Sequence, residues 1–408
     1  MKAVGVIVEY NPFHNGHAYH LQQAKEVSGS EIVIAAMSGN FLQRGEPAIV
    51  SKWYRAKMAL MGGVDLVFEL PYQFATQKAE TFANGAISLL DAAGCDSICF
   101  GSESGNINAF LKTADKIERM QTQLDKEIKQ SMKTGISYPR ALSLAYDSIA
   151  DSTDNVNLTT PNNILGYQYI QAIRSQKSAL KPFTIARESA GYHDEHFASA
   201  TIVSATSIRK AIFSKENKID SFIPSYTKEL LNDYLTENGQ LHQWEDYWPL
   251  LQFRLLQATA AELKQIYEIE EGIENRLVKA ATQAGSYQEF MEMVKTKRYT
   301  WTRLQRISTH ILTNANKSEM RTEEEKVSYL RLIGMSEKGK AYLNQQKTQF
   351  SLPLISKLSS YRHKEIDLDI RAARIYAAIL PAKNKKALLK QEFQPPMYLY
   401  KEELRDWK

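Results

Sequence analysis

Through its first hundred residues the sequence repeats one pattern: a short apolar run of strand length, then a stretch with helical spacing. The runs are Val4 to Val8, Glu31 to Met37 ("EIVIAAM"), Gly63 to Pro71 ("GVDLVFELP") and Asp96 to Ser104 ("DSICFGSES"). Gly16 to Val27, Ser51 to Met61 and Ala79 to Ala93 read as helices, with Ser51 placed to cap the second. Apolar strands separated by helices predict a parallel sheet covered on both faces. Lys181 to Ser189 ("KPFTIARES") reads as a fifth strand, and Val203 to Phe213 ("VSATSIRKAIF") as a capped helix start.

From about Ser221 the pattern changes. β-Branched runs thin out, and Trp248 to Tyr267, Ile273 to Ala284, Tyr287 to Val294, Trp301 to Leu312 and Ile370 to Leu380 carry helical periodicity. The expectation is an α/β parallel-sheet domain over residues 1–217 and a mostly α-helical domain over 218–408, with the border near Asn217 to Pro224. A chain of 408 residues is long enough for two or three domains.

The composition, 43% hydrophobic and 24% charged, is that of a globular protein. No run approaches the roughly 18 apolar residues that span a bilayer. Met1-Lys2 leads into a strand rather than an export signal, so a cytoplasmic location and no membrane partner are expected. Cys95 and Cys99 are too few for a disulfide framework and read as small apolar filler. A net charge of +5 permits a polyanionic partner without requiring one.

The segment "EYNPFHNGH" falls where the first strand hands over to the first helix. In an open parallel sheet, ligands sit beyond the carboxyl ends of the strands. Gly16 lets backbone approach a ligand. A helix start offers N–H groups and partial positive charge to phosphate, and His14 and His17 add donors for a leaving pyrophosphate. Two histidines at this spacing could bind a metal; no nearby Cys or third His is obvious in the sequence, but a distant carboxylate could complete such a site. His20 alone reads as a helix surface residue.

"HNGH" resembles the H-x-G-H motif of the nucleotidylyltransferase superfamily, whose members have a Rossmann-like sheet and attack the α-phosphate of ATP. "SATSIR" (Ser204 to Arg209) resembles that superfamily's second motif. Its hydroxyls, N–H groups and guanidinium suit β- and γ-phosphates. With "SGNFLQRGEPAIVSKWYRAKMAL", "GVDLVFELP", "FGSE" and "NNILGYQYI" added, the chain resembles the bacterial tRNA(Met) cytidine acetate ligase family, densely in the first half and more loosely in the second.

That resemblance implies activation of acetate by ATP and transfer of acetyl to the wobble cytidine of elongator tRNA(Met). It implies ATP as substrate, accompanied by Mg²⁺, with no permanently bound cofactor and no protein ligand for the metal identified. The implied catalytic residues are His14, His17 and Arg209. The implied ATP site comprises Ile7, Val8, Glu9, Tyr10, Asn11, Pro12, Phe13, His14, Asn15, Gly16, His17, His20, Gly101, Asn162, Arg187 and Glu188, with Ser204, Thr206 and Ser207. Gly101 would leave room for adenosine, Asn162 would meet a ribose or base edge, and Arg187 a phosphate or carboxylate.

For tRNA, "VKTKRYTWTRLQR" offers Lys295, Lys297, Arg298, Arg303 and Arg306 for phosphates, and Tyr299 and Trp301 for stacking. "AKNKKALLK" (Ala382 to Lys390) is a second basic cluster, open between RNA contact and a solvated face. Gln43, Arg44, Lys52, Arg55 and Lys57 are likewise open between a phosphate grip and a solvated face. Two other functions stay in view: an adenylyltransferase making a dinucleotide cofactor, and an RNA-binding protein with an inactive nucleotide fold.

Overall fold

The computed structural model describes residues 1–136, 138–149, 155–187, 204–214, 219–321, 324–361 and 363–400. Strand β1 (Ala3–Val8) runs through the centre of a sheet, parallel to β2 (Ile32–Ser38) on one side and to β4 (Ser97–Ser102) on the other. β3 (Leu66–Leu70) extends the sheet beyond β2, and β5 (Lys181–Ala186) beyond β4, both parallel. Side chains alternate across the sheet with the two-residue period of a strand. Val4, Val6, Val33, Ala35 and Val67 enter one apolar layer; Ala3, Ile32, Ile34, Leu66 and Phe68 enter the other.

The first half contributes helices α1 (Asn15–Ser28), α2 (Lys52–Met61), α3 (Tyr72–Ala75), α4 (Ala79–Ala92), α5 (Ile107–Lys133), α6 (Tyr138–Ile149), α7 (Pro161–Ser175) and α8 (Ala205–Phe213). Helix α1 presents Leu21 and Ala24 to the first layer and ends at Gly29, whose φ of 61° suits the left-handed cap. Ser51 stands at the N-cap of α2, but its hydroxyl makes no capping bond. The Asn40 side chain takes the Lys52 N–H instead, at 2.9 Å.

Helices dominate the second half: α9 (Ser225–Asn238), α10 (Trp244–Gln257), α11 (Ala260–Gln265), α12 (Ile273–Ala281), α13 (Tyr287–Val294), α14 (Trp301–Thr313), α15 (Lys317–Met320), α16 (Glu337–Gln346), α17 (Lys364–Tyr376) and α18 (Ala382–Gln391). The stretch read as one helix from Trp248 to Tyr267 is two. Thr259 breaks it and caps α11, forming a reciprocal box with Glu262.

Three strands of this half join the N-terminal sheet, which the helical reading of residues 218–408 did not anticipate. β6 (Leu330–Ser336) pairs antiparallel with β3; β7 (Leu354–Ile355) and β8 (Met397–Leu399) pair with β6. The expected border falls partly on residues 217 and 218, outside the described residues. β7 and β8 are short, and β6 carries an arginine and a glycine where a buried strand ordinarily shows β-branched residues.

That arginine joins a closed ring of four buried charges. Lys52 Nζ lies 2.8 Å from Glu69 and 2.7 Å from Glu392, and Arg331 lies 2.7 Å from each of the same carboxylates. Burial alone would push Glu392 up, but Lys52 and Arg331 outweigh it and hold the carboxyl below its ordinary range. The ring fastens α2, β3 and β6 to the segment after α18. Breaking a buried pair by neutralising one partner costs about 3–5 kcal/mol. Glu392→Gln is therefore expected to lower unfolding free energy by that amount in urea titration; a change under about 1 kcal/mol would contradict the ring's structural role.

Candidate active site

β2 and β3 lie to one side of β1, and β4 and β5 to the other. The carboxyl end of β1 is thus at the topological switch point, where open α/β sheets form their ligand crevice. The chain leaves β1 through Glu9 and Tyr10, crosses a cis Asn11-Pro12 peptide and enters α1. Arg55, fully buried, stitches the strand ends: it donates to the carbonyl oxygens of Glu9 at 2.6 Å and Ser38 at 3.1 Å, and to that of Gly39. Asn11 Oδ1 accepts the Ile49 N–H at 2.7 Å. Tyr10, Asn11, Pro12 and Phe13 are buried, so their side chains belong to the interior beneath the junction. The Phe13 and Tyr10 rings pack against His17.

His14 is the N-cap of α1. Its Nδ1 accepts the Gly16 N–H at 3.1 Å, and His17 Nδ1 accepts the His14 N–H at 3.2 Å. The two rings stack with centroids 3.7 Å apart. Because each Nδ1 is an acceptor, each neutral ring carries its proton on Nε2. Burial pushes His14 down to about 4, with Arg187 adding to the effect. Burial, His14, Arg187 and His20 together hold His17 well below the ordinary range. Neither Nε2 has a protein hydrogen-bond partner among the described residues.

The expectation that bare helix N–H groups of α1 await phosphate needs correction. The Asn15 N–H is taken by the Phe222 carbonyl at 3.0 Å, and the Gly16 N–H by His14. The imidazole Nε2–H groups of His14 and His17 are donors left without a protein partner among the described residues, as are the buried Tyr10 hydroxyl and Asn11 Nδ2 beneath them. His20 is not the surface residue it resembles in sequence: it is half-buried against the sheet, its Nε2 has no partner among the described residues, and burial and Arg187 push it down to about 4.

Arg187 follows β5 and lies across Gly101 at the end of β4, where an added Cβ would sit 3.1 Å from its side chain. Its Nη1 donates to Asn162 Oδ1 at 2.8 Å. Asn162 is held in turn by Glu103, which accepts its amide Nδ2 at 2.7 Å and caps α7 through the N–H groups of Asn162 and Asn163. Four of the expected elements (the histidine loop, Gly101, Asn162 and Arg187) therefore converge. Glu103 was missed, although the "FGSE" segment contains it. Only its carboxylate reach to the start of α7, invisible in sequence, explains its place. Glu188 lies outside the described residues.

Helix α8 approaches from the other wall. Ser204 caps it by accepting the Ser207 N–H at 3.1 Å, and Thr206 and Ser207 are exposed. Arg209 is already engaged: it donates to the Asn11 carbonyl at 2.9 Å and pairs with Glu46 at 2.7 Å. In this arrangement its guanidinium braces the histidine loop. Glu9 accepts the Gln43 N–H at 2.7 Å, and burial raises its carboxyl.

Residues 1–392 match the HIGH Nucleotidyl Transferase family. The tRNA(Met) cytidine acetate ligase of Bacillus licheniformis is 49% identical over 99% of both chains, and that of Bacillus subtilis is 50% identical over 92% of both. The chain belongs to the tRNA(Met) cytidine acetate ligase family. Crystal structures of Thermotoga maritima TmcAL, apo and bound with α-thio ATP, share its fold at a TM-score of 0.89 each. They are 33% and 34% identical, over 98% of this chain and 100% of theirs.

In this member of the tRNA(Met) cytidine acetate ligase family the basic stretch before and along α14 is only partly available. Tyr299 is buried, its hydroxyl donates to the Glu270 carbonyl at 2.6 Å, and Arg303 stacks on its ring. Arg306 is buried against Glu268 at 2.6 Å. Tyr299 and Arg306 thus serve the helical core and are withdrawn from RNA. Trp301 packs against the core, and Arg298 and Arg303 pair with Glu271 and Glu270. Lys295 and Lys297 are exposed. Lys52 and Arg55 are likewise interior, which neither a phosphate grip nor a solvated face anticipated.

The histidines also set a pH dependence. An unfolded histidine titrates near 6.5, whereas folded His14 and His20 titrate near 4. Their depressed values give stability that is complete above about 6.5 and is lost as pH falls from there toward 4. NMR titration of ¹³C-histidine-labelled protein is expected to place His14 near 4 and His17 well below the ordinary histidine range; a midpoint near 6.5 for either would contradict the geometry.

Proposed function

We propose that this chain activates acetate with ATP and transfers the acetyl group to the wobble cytidine of elongator tRNA(Met), forming N4-acetylcytidine. The observation that carries this reading is the stacked, neutral histidine pair at the β1–α1 junction, aimed into the switch-point crevice of a family member.

In the first step an acetate oxygen attacks the α-phosphorus of ATP, the bond from that phosphorus to the α,β-bridging oxygen breaks, and pyrophosphate leaves with that oxygen. His14 and His17 donate Nε2–H bonds to the triphosphate while charge builds on the leaving group. Because the rings enter neutral, they need no counter-charge in the absence of nucleotide. Arg187 supplies the full positive charge, and Asn162, anchored by Glu103, fixes its direction. Gly101 keeps the strand end open beneath Arg187. Ser204, Thr206 and Ser207 offer exposed hydroxyls to the outer phosphates. Arg209 acts through its hold on Asn11.

In the second step the cytidine exocyclic nitrogen attacks the acetyl carbon, AMP leaves and the nitrogen loses a proton. Lys295 and Lys297 are the remaining candidates for tRNA phosphates from the α14 stretch, with the α18 lysines as a second patch. Mg²⁺ would arrive on the triphosphate as part of the substrate. Among the described residues no group of three or more His, Cys, Asp or Glu side chains forms a protein site for it. No described helix is long and apolar enough to cross a membrane, and the reaction's substrates agree with work in the cytoplasm.

Incubation with ATP, acetate and tRNA, followed by nucleoside mass spectrometry, is expected to show one added acetyl on cytidine, dependent on all three components. His17→Ala is expected to lower the rate by about 10²–10³-fold, the loss typical of a removed transition-state donor. ATP–pyrophosphate exchange that proceeds equally without acetate would instead support a cofactor-forming adenylyltransferase.

A further inference from the structure

Between β2 and α2 the chain makes a tight hairpin at the mouth of the crevice. Leu42 N–H donates to the Glu46 carbonyl and Gly45 N–H to the Leu42 carbonyl, both at 2.9 Å. Almost every residue of this hairpin is tied down. Gln43 donates its N–H to Glu9 at 2.7 Å and its side-chain amide to the Gln77 carbonyl at 2.6 Å. The Gly45 carbonyl accepts Trp244 Nε1 at 3.1 Å and Thr309 Oγ1 at 2.7 Å. Gly45 has φ +80° and lies so close to α14 that a Cβ would meet the Arg306 nitrogen at 2.4 Å, so no other residue fits. Glu46 pairs with Arg209 at 2.7 Å.

Arg44 stands at the apex. Its side chain is exposed and, among the described residues, makes no hydrogen bond or ion pair. It follows directly on the residue bonded to Glu9, so its backbone is fixed near the end of β1. Burial lowers Arg187, Glu103 offsets this, and Arg44's charge adds to it; the two guanidiniums are within electrostatic reach of one another. The hairpin and the end of β5 thus bring two positive charges into one neighbourhood from separate elements. Such an arrangement is unfavourable when empty and favourable around an anion.

We propose that Arg44 is a phosphate-binding residue of the acetylation reaction, presented to the crevice by a hairpin that the helical half holds rigid. This rests on the function proposed above. Its ligand is a phosphate oxygen, from either the ATP triphosphate or the tRNA backbone beside the target cytidine.

The test compares wild type with Arg44→Ala and Arg44→Lys in three assays. These are calorimetric binding of a nonhydrolysable ATP analogue, acetate-dependent ATP–pyrophosphate exchange without tRNA, and acetyl transfer to tRNA. A contact to the triphosphate weakens analogue binding and raises the exchange KM for ATP by about tenfold or more in Arg44→Ala, with partial recovery in Arg44→Lys. A contact to tRNA leaves both unchanged and raises the KM for tRNA about tenfold, with a shallower salt dependence. Values within twofold of wild type in all three would overturn the proposal. Absence of acetate-dependent exchange in the wild type would overturn the functional reading instead, while the binding assay still decides whether Arg44 meets the triphosphate.

Discussion

His14 and His17 each spend Nδ1 on the backbone that begins α1, and the chemistry of the crevice follows from this commitment. An imidazole that accepts through one nitrogen presents an N–H at the other. Two rings stacked at 3.7 Å could not both be charged without strong repulsion, and their burial makes charging costlier still. The pair is therefore preset as neutral donors. Neutral donors suit a site that must bind a polyanion, stabilise a departing pyrophosphate and then release it. A pair of imidazolium ions would hold both nucleotide and product more tightly.

The rest of the molecule keeps that junction in place. Arg55 ties the ends of β1 and β2, Arg209 ties α8 to Asn11, and Phe222 occupies the first N–H of α1. The helical half is part of the same device. It contributes three strands to the sheet, closes the Lys52–Glu69–Arg331–Glu392 ring, and braces the Leu42–Pro47 hairpin through Trp244 and Thr309. Catalytic and helical portions are thus coupled through buried polar contacts as well as apolar packing. Removing a partner from such contacts strands a charge or a donor in the interior, which makes the coupling rigid.

Much of this was legible from residue order alone. Apolar runs of four to eight residues, interrupted by helical spacing, reveal the parallel strands, because burial on both faces demands such runs. The glycine and histidines after β1 mark the crevice because they fall where the strand hands over to α1, beyond the carboxyl end of the sheet, and match the H-x-G-H motif. Less legible were contacts between residues far apart in the chain. Glu103 reaches Asn162, Lys52 reaches Glu392, and Tyr299 turns inward toward Glu270; none has a local signature. Exposed and buried arginines look alike in sequence, so Arg55 and Arg306 could not be told from Arg44. Strand β6, which lies inside the sheet between β3 and the pair β7 and β8, escaped notice because its buried Arg331 is tolerated only through carboxylates supplied by β3 and by the segment after α18.

The central claim is that the triphosphate lies against the Nε2–H groups of His14 and His17 at the start of α1. A crystal structure with a nonhydrolysable ATP analogue tests it most directly. The account predicts phosphate oxygens about 3 Å from both Nε2 atoms, with Arg187 on the same phosphate chain. Density for the nucleotide away from this junction, or imidazoles turned so that Nδ1 faces the phosphates, would contradict it.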